Sequence, residues 1–123
     1  MQRNRNWLGR GLVVLLSVGS ILGCAFPTHD RDKLAAVRAE SYALLQAHVT
    51  TQVSEIPERE WPSAIASLRP ETVWVDKDGV EILVKPFFDG GYGYYVPREG
   101  REQQVSRELF KNLGQGVFWH HPH

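Results

Sequence analysis

The sequence predicts one small α+β domain, an N-terminal amphipathic helix packed with a short antiparallel sheet of three to four strands. Three observations lead there. Asp32–Val53 carries apolar residues at helical spacing. Thr72–Asp76 and Val80–Lys85 are rich in β-branched residues and flank a turn sequence. The order helix, short helix, hairpin, strand, helix, strand shows no repeat and no second domain. A chain of this size folds alone, burying about 60–65% of its unfolded surface.

In Asp32–Val53, residues Leu34, Val37, Leu44, Leu45, Val49 and Val53 fall on one half of the helical wheel, with Lys33, Glu40 and Gln46 outside it. Asp30 or Asp32 can cap the start, and five alanines raise helix propensity. His48 lies near the apolar half and reads as a half-buried packing residue; His29 is isolated. Ile56-Pro57 breaks the helix. Pro62 suits a first helical turn, Ile65 and Leu68 give a short stripe closed by Pro70, and Trp61 reads as a core anchor.

Lys77-Asp78-Gly79 marks a hairpin with two competing registers. A two-residue Asp78-Gly79 turn pairs Val75 with Ile82 and Val73 with Val84, but sets Asp76 against Glu81. A three-residue loop with Gly79 left-handed avoids that repulsion and puts Trp74 opposite Ile82. Asp at the first turn position and Gly at the fourth favour the second. Asp89-Gly90-Gly91 is another turn, and Tyr92–Val96 is a third strand ended by Pro97. Glu102–Leu113 has helical spacing at Val105, Leu109 and Leu113, with Gly114 in the C-cap place, and Val117–Trp119 is a last short strand.

The chain has 123 residues, 42% hydrophobic and 23% charged, with 14 basic and 14 acidic groups. That composition excludes a collagen-like repeat, a disulfide scaffold and a strongly basic nucleic-acid binder. The balance is uneven along the chain. Arg3, Arg5 and Arg10 stand in a segment without acids, so residues 24–123 hold eleven basic and fourteen acidic groups, a net charge of −3.

Met1–Arg10 is positively charged and Gly11–Gly23 is uncharged and rich in Leu, Val and Ile. Those 13 residues are too few to span a bilayer, which takes roughly 20. A charged start, a short apolar stretch and small residues at its end are the layout of a secretory signal. There stands the only cysteine, in Ile21-Leu22-Gly23-Cys24. The segment resembles the lipobox of bacterial lipoproteins: Leu or a variant, a small residue, Gly or Ala, then Cys. Leu22 is bulkier than that pattern's usual residue. The resemblance implies cleavage between Gly23 and Cys24, diacylglycerol on the Cys24 thiol and an N-acyl lipid on its new amino group. Residues 1–23 are then a cleaved signal peptide, 24–31 a lipidated tether and 32–123 the globular domain. It also implies a lipid-anchored membrane protein of the cell envelope. Because Ala25 is not Asp, it implies an outer-membrane anchor facing the periplasm if the source is Gram-negative. Two or three acyl chains hold firmly where one gives marginal binding, and they account for a lone cysteine in a secreted chain. The stretch Leu68-x-Pro70-x-x-Val73…Gly79-Val80-x-Ile82, followed by Tyr94-Tyr95-Val96, is similar to a part of small uncharacterised bacterial lipoproteins. It covers a minor part of the chain and implies no chemistry.

Few residues suggest chemistry. Asp76-Lys77-Asp78-Gly79 contains a fragment of a calcium loop, but lacks the distal ligands, and a turn explains each residue. His120, His121 and His123 are weak metal candidates, since neighbours on a strand point to opposite faces. Tyr92, Tyr94 and Tyr95 are the candidate partner-binding residues. On a strand, Tyr92 and Tyr94 share one face and Tyr95 takes the other, so one face is available for core. No nucleophile elbow, phosphate loop, dinucleotide fingerprint or zinc-protease motif is present, so no catalytic residue is nominated. The expectation is a non-enzymatic binding or structural module with no cofactor beyond the lipid. Its partners are the membrane and an envelope protein or peptidoglycan, not nucleic acid. The alternatives are an inhibitor or immunity-type lipoprotein blocking an envelope hydrolase, a periplasmic metal-binding lipoprotein, and a hydrolase.

Overall fold

The computed structural model describes residues 25–48, 52–87 and 90–122. Gly23, Cys24, Val49, Asp89 and His123 lie outside them, and so does the predicted signal segment.

Helix α1 is Arg31–Ala47. Of the two expected candidates Asp30 is the cap, its side chain accepting the N–H groups of Asp32 and Lys33. Leu34, Val37, Ser41, Leu44 and Leu45 are buried on one face. α1 ends at Ala47, short of the predicted Val53. His48 is the C-cap, and Val53 is 62% exposed just before the short strand β1, Ser54–Glu55. In the sequence, four of the five residues after His48 (Val49, Thr50, Thr51 and Val53) are β-branched and poorer helix formers than the alanines of α1. Trp61 is half-buried against the core as anticipated, its indole N–H donating to the Ile56 carbonyl at 2.9 Å. The short helix α2, Ser63–Ser67, starts after Pro62, and Arg69 takes a left-handed conformation just past it (φ 55°). Pro62 offers α2 no side-chain cap, so Glu40 of α1 supplies one across the helix–helix contact. Its two carboxylate oxygens accept from Ala64 N and Ile65 N at 3.0 and 2.9 Å.

The remaining strands are β2 Thr72–Val75, β3 Gly79–Phe87, β4 Gly90–Pro97, β5 Phe110–Gly114 and β6 Val117–His120. They form one six-stranded antiparallel sheet in the order β1-β2-β3-β4-β6-β5. The expected class, α+β with the helix on an antiparallel sheet, is therefore seen, but the sheet has six strands rather than three to four.

Two local expectations are corrected. In the β2–β3 hairpin, Val75 pairs with Val80, Trp74 with Glu81 and Val73 with Ile82, so neither expected register forms. The loop is Lys77-Asp78, closed by Asp76 N–H donating to Gly79 O at 3.0 Å, while Asp76 Oδ1 accepts from Asp78 N and Gly79 N. Trp74 opposite Ile82 would have placed a residue of the open face against one with no exposure. Gly79 is needed for a different reason: an added Cβ would stand 2.5 Å from the Val96 carbonyl oxygen of β4. The predicted helix Glu102–Leu113 is instead a single 3₁₀ turn, Glu102–Gln104, followed by β5. Its stripe holds only three apolar residues, and Leu109 is 44% exposed. Gln115 and Gly116 both have positive φ (57° and 72°), the geometry of a two-residue hairpin turn, and fold β5 onto β6.

Cross-strand rows define the two faces. Val73, Ile82, Tyr94 and Trp119 form one row and Val75, Val80 and Val96 another. All are buried under α1 with Leu34, Val37, Leu44 and Leu45. The opposite face carries Glu55, Trp74, Glu81, Tyr95, Phe118 and Asn112, one residue from each strand in sheet order.

Candidate functional site

The three candidate tyrosines part company as strand alternation requires. Tyr94 is core, 3% exposed, with its ring edge-on to Trp119 at 4.9 Å. Its hydroxyl accepts the Thr28 N–H at 2.8 Å. Burial pushes its phenol pKa up from the ordinary value, against the opposing effect of that N–H. Tyr92 is half-buried on the same face and tilts over Trp119 at 6.2 Å. Only Tyr95 stands on the open face, half-buried, with its ring 5.5 Å from that of Phe110. Burial, then the negative charges of Asp76, Asp78 and Glu81, raise the Tyr95 phenol to about 12, with Arg101 opposing.

Beside the row through Tyr95 runs a second one, Thr72, Leu83, Gly93, His120 and Phe110. Gly93 is the seat of the histidine, since a Cβ there would lie 3.0 Å from His120 Nε2 and 2.6 Å from the Ile82 carbonyl. The His120 ring has Nδ1 2.9 Å from the Gly91 carbonyl and Nε2 3.1 Å from Glu81 Oε1, an ion-pair distance without an aligned hydrogen bond. Phe110 meets the ring edge-on at 5.6 Å. Both nitrogens therefore face groups of the protein itself. His121 is exposed, with Nδ1 on the Pro122 carbonyl. Among the described residues no group of three His, Cys, Asp or Glu side chains is arranged to hold a metal ion. Asp76 of the calcium-like fragment spends one carboxylate oxygen on its own turn.

The segment 98–109 leaves the end of β4 beside α1, where the Tyr42 hydroxyl donates to Glu102 Oε1 at 3.4 Å, and its later residues come over Tyr95 and Phe110 before β5. It helps to form an open groove of about 750 Å³ over Phe110 and Phe118, bordered by Glu102, Gln103, Arg107, Lys111 and Asn112. A shallower depression of about 370 Å³ over Tyr95 adjoins it, with Val105 and Phe110 common to both. Its rim holds the exposed Arg101–Asp78 ion pair at 3.5 Å, worth little to stability in water. The groove thus has an aromatic floor, with Arg107, Glu102 and the amide side chains of Gln103 and Asn112 at its border; Lys111 reaches its edge from a position paired with core-facing Trp119. Phe110, Phe118 and the cations were not among the sequence candidates. The signal that would have revealed them was Gly114-Gln115-Gly116, a hairpin turn between two apolar runs.

Fold and site together define a small sheet-and-helix module, with one sheet face sealed by a helix and the other open and grooved. No protein-family model matches the chain, and no match was found among curated proteins or among solved structures.

Proposed function

We propose that this protein is a lipid-anchored component of a bacterial cell envelope that works as a non-enzymatic binding module. The anchor reading comes from Ile21-Leu22-Gly23-Cys24 and the charged, short apolar segment before it. No helix among the described residues is long and apolar enough to cross a membrane. The observation that carries the binding reading is the groove of about 750 Å³ on the open sheet face, whose floor is Phe110 and Phe118. Aromatic surface gives contact area and sugar-stacking faces, and Arg107 at the border favours carboxylate-bearing partners. An envelope protein or peptidoglycan supplies both kinds of contact. A catalytic reading is disfavoured by His120, whose ring nitrogens face Gly91 O and Glu81 rather than the groove.

The test places a photocrosslinking amino acid at Phe110 in the lipidated protein within native envelopes, alongside sedimentation of the purified protein with isolated sacculi. The control carries the same group at the exposed Glu60. A discrete crosslinked product or co-sedimentation specific to position 110, and lost in Arg107→Glu, is the expected result. Identical behaviour of the two positions would refute the groove as the binding surface.

A further inference from the structure

We infer that the end of the domain bearing Phe26 and Phe87 lies on the bilayer, with both rings at the boundary between headgroups and acyl chains; this rests on the reading that Cys24 is acylated. The first support is that the chain next to Cys24 is not a loose tether. Ala25 packs against the core, and the Thr28 N–H is bound to the hydroxyl of buried Tyr94. Consecutive Cα atoms are about 3.8 Å apart, so a lipid on Cys24 enters the membrane within one residue of the folded domain. The domain is held against the surface instead of being suspended above it.

The topology decides which end touches. Leu45 and Gln46, near the C-terminus of α1, share a cleft with Arg98 and Glu99, which follow β4. The start of α1 is connected through Thr28 to Tyr94, in the middle of β4. Helix and strand therefore run in the same direction. The start of α1 is thus the end of the helix nearer the beginning of β4, the end of the sheet where Phe87 of β3 pairs with Gly90. Phe26 is 83% exposed beside the anchor, and Phe87, the last residue of β3, is 57% exposed. Two exposed phenylalanines at the end nearest an acyl anchor match an interfacial contact. The same geometry leaves the groove over Phe110 and Phe118 facing sideways along the membrane, open to partners.

The test uses the full chain, processed in bacteria and reconstituted in vesicles of phosphatidylethanolamine and phosphatidylglycerol. Cys24 is the only cysteine, so an acylated protein has no free thiol and Phe26→Cys, Phe87→Cys and Glu99→Cys each introduce a single one. Each is labelled with a nitroxide, and its collision rates with oxygen and with an aqueous nickel chelate are compared. The expected oxygen-to-nickel ratio is several-fold higher at 26 and 87 than at 99, at the opposite end. If Cys24 carries lipid by mass and the ratio at 87 equals that at 99, the orientation is overturned and the anchor stands. If the unsubstituted protein itself takes up the nitroxide, Cys24 is unacylated, and the anchor reading falls with the inference.

Discussion

Replacing Tyr94 by Phe removes one oxygen from the core and, with it, the acceptor of the Thr28 N–H at 2.8 Å. The ring's burial and its edge contact with Trp119 at 4.9 Å are left in place. A net hydrogen bond of this kind contributes about 1 kcal/mol, so thermal unfolding should fall by about 4–8 °C in a domain of this size. The loss should be local before it is global. Residues 25–30 are held to the sheet largely through this bond and the packing of Ala25, so the Thr28 amide should exchange about fivefold faster in Tyr94→Phe. Hydrogen exchange read by NMR, beside a thermal melt, measures both. Tyr94→Ala provides the scale: it also opens a cavity and should lose about 3–5 kcal/mol. Unchanged exchange at Thr28 in Tyr94→Phe would show that the hydroxyl does not fasten the N-terminal segment. A loss as large as that of Tyr94→Ala would place its role in the core instead.

Three further outcomes follow from single side chains. Glu40→Gln replaces one of the two oxygens that cap α2 with an amide nitrogen facing an N–H, and should cost about 1–2 kcal/mol in urea unfolding. Ser41→Ala should stabilise by about 1 kcal/mol, because Ser41 is fully buried, its Oγ has no partner and Ala is the better helix former; the urea midpoint rises at constant slope. Tyr95 gives the pH dependence. The folded state favours its neutral phenol, so its effect on stability is absent below pH 10.0 and grows as a loss while pH rises toward about 12. That loss is of order 2 kcal/mol and should vanish in Tyr95→Phe, as read from urea midpoints of the two proteins across that range.

Much of the helix and of the inner sheet face was legible in the sequence because both follow simple periods. The 3.6-residue repeat gave the buried set Leu34, Val37, Leu44 and Leu45, and N-cap preference narrowed the start to Asp30 or Asp32. The alternation in Tyr92–Tyr95 correctly separated Tyr94 from Tyr95 across the sheet. What failed depended on partners distant in sequence. The β2–β3 register is set by pairing core-facing Val73 and Val75 with Ile82 and Val80, and by Gly79 fitting against Val96 of β4, neither of which a local turn rule contains. Strand β5 looked helical because Val105, Leu109 and Leu113 share a helical spacing. The positive φ of Gln115 and Gly116 and the aromatic neighbours Tyr95 and His120 fix Phe110 on the sheet instead. With β5 taken for a helix, Phe110 and Phe118 had no common surface, and the groove between them stayed invisible.

The anchored-module account depends first on Cys24. Intact mass spectrometry of the protein purified from membranes, beside a Cys24→Ser copy, addresses it most directly. The account predicts a chain that begins at Cys24, lacks residues 1–23 and carries the mass of a diacylglycerol with an N-acyl group, while the Cys24→Ser copy keeps those residues and carries no lipid. A native chain of unmodified mass with a titratable thiol at Cys24 would contradict it.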